Sequence, residues 1–122
     1  MEMPLAEVLD RLSILKLKIE RINEEHLKKE QDAFNNAIQE FKNKGIKLKE
    51  EWLEELYKIN SKIWYLEADI RKGKENDLGL EEVGRRAIEI RNLNRERVAM
   101  KNKIIEETGI GFKDVKINHA SE

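Results

Sequence analysis

The side chains able to do chemistry in this chain stand in rows. Glu7, Asp10 and Arg21 adjoin the apolar stripe of a first amphipathic segment. Asn60, Trp64, Glu67 and Arg71 adjoin that of a second, and Asn94, Arg97 and Lys101 that of a third. Residues three or four apart share one face of a helix. These polar groups therefore occupy places where a plain helical bundle carries leucine. Three arrangements would use them: a buried ionic network, a ligand site or a partner surface.

Each row has a chemical reading and a plainer one. Asn94, Arg97 and Lys101 offer amide, guanidinium and ammonium donors along one face, a set able to hold a phosphate or carboxylate, with Arg97 binding in bidentate fashion. The plainer reading has Arg97 and Lys101 neutralising Glu67, Glu7 or Asp10 on a facing helix. The two are compatible. Glu67 and Arg71 are spaced i, i+4 with the acid first, the favourable order, and Trp64 lies one turn earlier. They form either a surface ion pair beside a core tryptophan or a partly buried pair; a buried pair is costly unless fully hydrogen-bonded.

Glu7 and Asp10 form an E-x-x-D pair, and carboxylates one turn apart can bind Mg²⁺. All-α nucleoside triphosphate pyrophosphatases use acids in this way, with E-x-x-E, a spacer and then E-x-x-D. Here Glu51 and Glu54 have the first spacing, but the later segment reads Glu67-Ala68-Asp69, and the E-x-x-D pair precedes E-x-x-E. An Mg-dependent enzyme on phosphorylated substrates is thus the alternative reading, and only under it is a cofactor expected. His26 and His119 are too far apart in sequence to suggest a triad or a zinc site. Gly109-Ile110-Gly111 follows a helix, where phosphate-binding loops precede one.

Composition bounds what positions these rows. A chain of 122 residues is one domain. Its 24 basic and 25 acidic residues nearly cancel, and no third of the chain carries a basic surplus of more than one. Five of the eight arginines lie in the third segment, interleaved with Glu89 and Glu96, so nucleic acid is not the expected partner. The absence of cysteine excludes disulfides and thiolate chemistry. No apolar run approaches the ~20 residues of a membrane span. Met1-Glu2-Met3-Pro4 does not resemble a secretory signal. A cytoplasmic protein is expected.

Periodicity predicts helices over about 4–44, 49–72 and 80–108 with an irregular tail over 109–122. In the first, Leu5, Val8, Leu12, Leu15, Ile19 and Ile22 make a seam, while Leu9, Ile14 and Leu17 lie off it. So wide an apolar face implies burial between two neighbours. The seam falters over residues 23–32, where the helix bends or breaks, and resumes at Phe34, Ile38 and Phe41. Gly45 and Gly73 mark turns. The third stripe runs through Val83, Ala87, Ile90, Leu93 or Asn94, Val98 and Ile105. In the tail, Phe112, Val115 and Ile117 form a short strand or pack across the bundle. The expected fold is all-α: three long antiparallel helices, completed by homodimerisation through the second apolar face of the first helix.

Three segments together resemble a known group. They are Glu7-Val-Leu-Asp10-Arg-Leu-Ser-Ile-Leu-Lys-Leu-Lys18, Asn60-x-x-x-Trp64-x-x-Glu67-x-x-Ile70-Arg71 and Asn94-x-x-Arg97-x-x-x-Lys101. They look like the E-x-L-D-K-L-T-I-L, W-x-x-E-D-x-I-R and N-D-x-R-x-x-x-K motifs of an uncharacterised family of small helical bacterial proteins. This chain departs from them at Ala68 and at Arg95, each where the family carries an acid. Members are often encoded near sugar-transfer enzymes, which implies a role beside phosphorylated or nucleotide-linked sugars. The expected function is a non-catalytic binding or accessory protein. In it Arg71, Asn94, Arg97 and Lys101 bind an anionic small molecule, oriented by Glu7, Asp10 and Glu67 and flanked by Trp64. A purely structural dimer with an internal ionic network is the further alternative.

Overall fold

The computed structural model describes residues 3–22, 24–73 and 75–109, and among these it is all-helical. The elements are α1 (Leu5–Arg21), α2 (Glu25–Asn43), α3 (Glu50–Arg71), a single turn α4 (Glu75–Leu78) and α5 (Leu80–Thr108). The expectations for Phe112, Val115, Ile117 and His119 lie outside the described residues. No helix of the described residues is long and apolar enough to cross a membrane.

The first predicted helix is two helices. α1 closes at Ile22, whose N–H donates to Lys18 O at 2.7 Å, and Glu24 is extended at φ −96°, ψ 145°. The chain then doubles back. Ile38 and Phe41 of α2 pack beside Leu5, Ala6 and Leu9, while Phe34 faces Arg11 and Ile14. One uninterrupted helix would leave the Val8, Leu12 and Leu15 face of α1 in water. Reversal buries all three. The apolar face assigned from sequence to a second subunit is thus covered by the chain's own residues 25–43.

α1 is the central element, packed against α2, α3 and α5. It runs parallel to α3: Leu5 and Leu9 meet Trp52 and Leu56 at one end, and Arg21 meets Tyr65 and Ala68 at the other. α5 runs antiparallel to both, since Ile104 joins the Leu5–Trp52 cluster while Leu93 packs with Ile59, Ile63 and Leu66.

The α5 seam differs from the expected one. Ile104 is fully buried, Ile105 only partly so, and Ala87 is exposed. The face turned to α3 and α1 runs Leu93, Arg97, Met100, Ile104, spaced four, three and four. Arg97 therefore sits at a core position. The helix ends at Gly109, which adopts the left-handed conformation (φ 73°, ψ 14°) and donates its N–H to Ile105 O at 2.7 Å. Glycine meets that backbone requirement without a Cβ clash.

Candidate functional site

α1, α3 and α5 bring the polar rows together at one level of the bundle. Asp10, Ser13 and Asn60 are its buried members, at 3, 0 and 4% exposure. The Asn60 amide donates to Asp10 Oδ1 at 2.9 Å and to Ser13 Oγ at 2.7 Å. The Ser13 hydroxyl donates to the Asp10 carbonyl one turn back at 2.7 Å. Both Asn60 amide hydrogens are thereby satisfied, as burial of a primary amide requires.

Toward the surface, Lys101 donates to Glu7 Oε1 at 2.7 Å and lies 3.8 Å from Asp10 Oδ2. Arg11 donates to the other Glu7 oxygen at 2.9 Å. Burial pushes the Glu7 carboxyl upward, but the bonds from Lys101 and Arg11 together with their charges outweigh it, and the group titrates below its ordinary value of 4.5. Lys101 thus ties α5 to α1.

Arg97 is the exception. Among the described residues its side-chain hydrogen bond runs from Nη1 to Asn60 Oδ1 at 3.4 Å, and its Nε is buried with no partner. Among the described residues no carboxylate lies within ion-pairing distance of it. A guanidinium has five N–H donors, and the one on Nε is buried without an acceptor. Asn94, half-buried one turn away, makes no side-chain hydrogen bond to another described residue.

The third part of the expected site stands apart. Arg71 lies over the Trp64 indole with 4.3 Å to the ring centroid, bonds Glu67 at 3.2 Å and donates to the Trp64 carbonyl at 3.2 Å. Glu67 and Arg71 side chains are both about two-fifths exposed (43 and 40%). This is the surface ion pair of the plainer reading, with the arginine stacked on the tryptophan. Glu67 neutralises neither Arg97 nor Lys101. The helical period places Glu67 and Arg71 seven and eleven residues beyond Asn60, about two and three turns up the axis, too far to join the same cluster.

Of the residues assigned a ligand role from sequence, Glu7, Asp10, Arg97 and Lys101 converge, Asn94 sits at the margin, and Trp64, Glu67 and Arg71 form a second cluster. Two members carried no such role. Ser13 was visible as the one polar residue amid Leu12, Ile14 and Leu15, three positions after Asp10. Asn60 belonged to its row, but nothing in α3 alone indicates that its amide meets Asp10. Among the described residues no three His, Asp or Glu side chains gather to hold a metal ion.

A further set of charges fastens the bundle ends. Arg85 and Arg86 both bind Glu82, holding its carboxyl down to about 2. Arg86 also donates to the Leu66 carbonyl at 3.2 Å, linking α5 to α3. Lys49 donates to Glu107 at 2.6 Å, which lowers the glutamate's pKa and raises the lysine's. No family model, no curated protein and no solved structure matches the chain.

Proposed function

We propose that this is a non-catalytic binding or accessory protein that takes an anionic group, a phosphate or carboxylate of the kind carried by sugar phosphates and sugar nucleotides, at Arg97. Asn94 and Lys101 lie on the same face and complete the donor set. Glu7, Asp10 and Asn60 hold that set in place. The observation that carries the reading is the Arg97 guanidinium: it occupies a core seam position, its Nε is buried without an acceptor, and no carboxylate of a described residue lies within ion-pairing distance of it. A buried N–H donor left without an acceptor lowers stability. A residue kept at such a position is accounted for by a ligand that completes it.

The metal-dependent alternative is less well supported. Both Glu7 oxygens accept hydrogen bonds from cations, and Asp10 is held by Asn60 and buried. The proposal includes a homodimer. What supports it is an exposed apolar line on α5, where Leu80 is 92% and Ile88 53% exposed.

Thermal-shift measurements with Arg97→Met test the reading. The wild type is expected to gain melting temperature with phosphate or sugar phosphates in the absence of metal, since a ligand of the folded state stabilises it. Arg97→Met loses that gain while keeping ligand-free stability within about 1 kcal/mol, because an apolar side chain replaces an unneutralised charge. Stabilisation only by Mg²⁺ with nucleotide would favour the enzyme. No shift with any of these, together with a large loss of stability in Arg97→Met, leaves the structural reading alone.

A further inference from the structure

Where α1 ends beside the last turns of α3, the surface folds into a notch of about 380 Å³, large enough for a mononucleotide-sized ligand. Its charged lining is all of one sign: Arg21, Arg71 and Lys72. Trp64, Tyr65, Ile22 and the small Ala68 complete its lining. Among the described residues no carboxylate lines it, although the chain as a whole carries one more acid than base. None of these residues belongs to the Arg97 network.

The state of the three cations points to an anion. Arg71 is held flat on the indole by Glu67 and by the Trp64 carbonyl. The Arg21 and Lys72 side chains make no ion pair or hydrogen bond among the described residues, and both residues are exposed. Cations at the last turn of a helix complement its dipole. That accounts for a positive residue at each helix end, but not for three of them around one void lined by two aromatic rings. Tyr65 is 73% exposed and offers an open ring, and the outer face of the Arg71 guanidinium offers a second flat surface. The larger neighbouring groove, which shares Arg21 and Tyr65 with the notch, differs in that two carboxylates, Glu89 and Glu96, stand among its three cations.

We propose that the notch is a binding site for a small molecule joining a flat aromatic ring to a phosphate, of the nucleoside monophosphate class. The ring stacks against Tyr65 and the Arg71–Trp64 pair. Arg21 and Lys72 take the phosphate.

Tryptophan fluorescence tests this on the intact chain. Trp52 is 1% exposed, so a ligand in the notch acts on the emission of Trp64. Adenosine monophosphate is expected to change the emission saturably, with an affinity of about 1 mM or better, and Trp64→Phe to abolish the change. Arg21→Ala and Lys72→Ala, both surface changes, each weaken binding about tenfold, whereas Arg95→Ala, an exposed cation outside the notch, leaves it unchanged. Arg97→Met also leaves it unchanged, which separates this site from the network. Four results overturn the proposal: no saturable change, equal weakening by Arg95→Ala, equal affinity for inorganic phosphate alone, or binding to vesicles of phosphatidylserine and phosphatidylcholine without binding to the nucleotide.

Discussion

Asn60 shows how one side chain sets the register of three helices. Its amide reaches Asp10 and Ser13 on α1, and its carbonyl faces Arg97 on α5. Replacing it with leucine leaves the buried Asp10 carboxylate and the Ser13 hydroxyl without their shared donor. Such losses cost about 3 kcal/mol. Urea unfolding of Asn60→Leu is expected to show a loss of that size, and the double variant Asp10→Leu/Asn60→Leu to recover part of it. Strict additivity of the two would mean that the contact carries no coupling energy. The sequence made the rows legible because a 3.6-residue period fixes which residues share a face. It could not pair them, because pairing depends on the rotation of each helix about its axis. Glu67 illustrates the point: the same spacing that placed it in line with Asn60 said nothing about its distance from α5.

At the scale of elements, the hairpin of α1 and α2 shows what periodicity hides. The faltering seam over residues 23–32 marked the right place, but a break and a bend look alike in sequence. The deciding quantity is the apolar face of α1, which needs a cover on the side away from α3. The chain supplies that cover by reversing at Ile22. α5 is fastened differently, by ion pairs at both of its neighbours: Lys101 to Glu7 on α1 and Glu107 to Lys49 before α3. Both glutamates titrate below 4.5 in the fold, so the unfolded chain binds protons more readily there than the folded one. Their contribution is complete above about pH 4.5 and is lost as pH falls through the lowered values. The Glu82 cluster extends that loss toward its value of about 2. Urea midpoints are therefore expected to fall from about pH 5 downward. Lys101→Met should lose about 2 kcal/mol at pH 7 and show a shallower acid decline. An unchanged acid slope in that variant would show that the Lys101 bond to Glu7 is not a source of the pH dependence.

At the scale of the molecule, the open question is what meets the outer face of α5. Leu80, Gly84 and Ile88 are spaced four apart and all are exposed, with Ala87 beside them. Gly84 lies inside the helix, and a Cβ built there would meet nothing within 4 Å. Glycine in a helix interior costs about 1 kcal/mol relative to alanine, and among the described residues nothing repays it. A second copy of α5 crossing at Gly84 would, since two backbones approach closely only where a side chain is missing. The homodimer is therefore expected to form through this line and not through α1, whose second face α2 occupies. Sedimentation equilibrium across micromolar concentrations checks it. The wild type should dimerise, and Gly84→Ala and Leu80→Glu should each shift the equilibrium toward monomer. If Gly84→Ala instead raises the melting temperature, by the ~1 kcal/mol that helix propensity predicts for a lone chain, with mass unchanged at one protomer, the outer face of α5 has no such role.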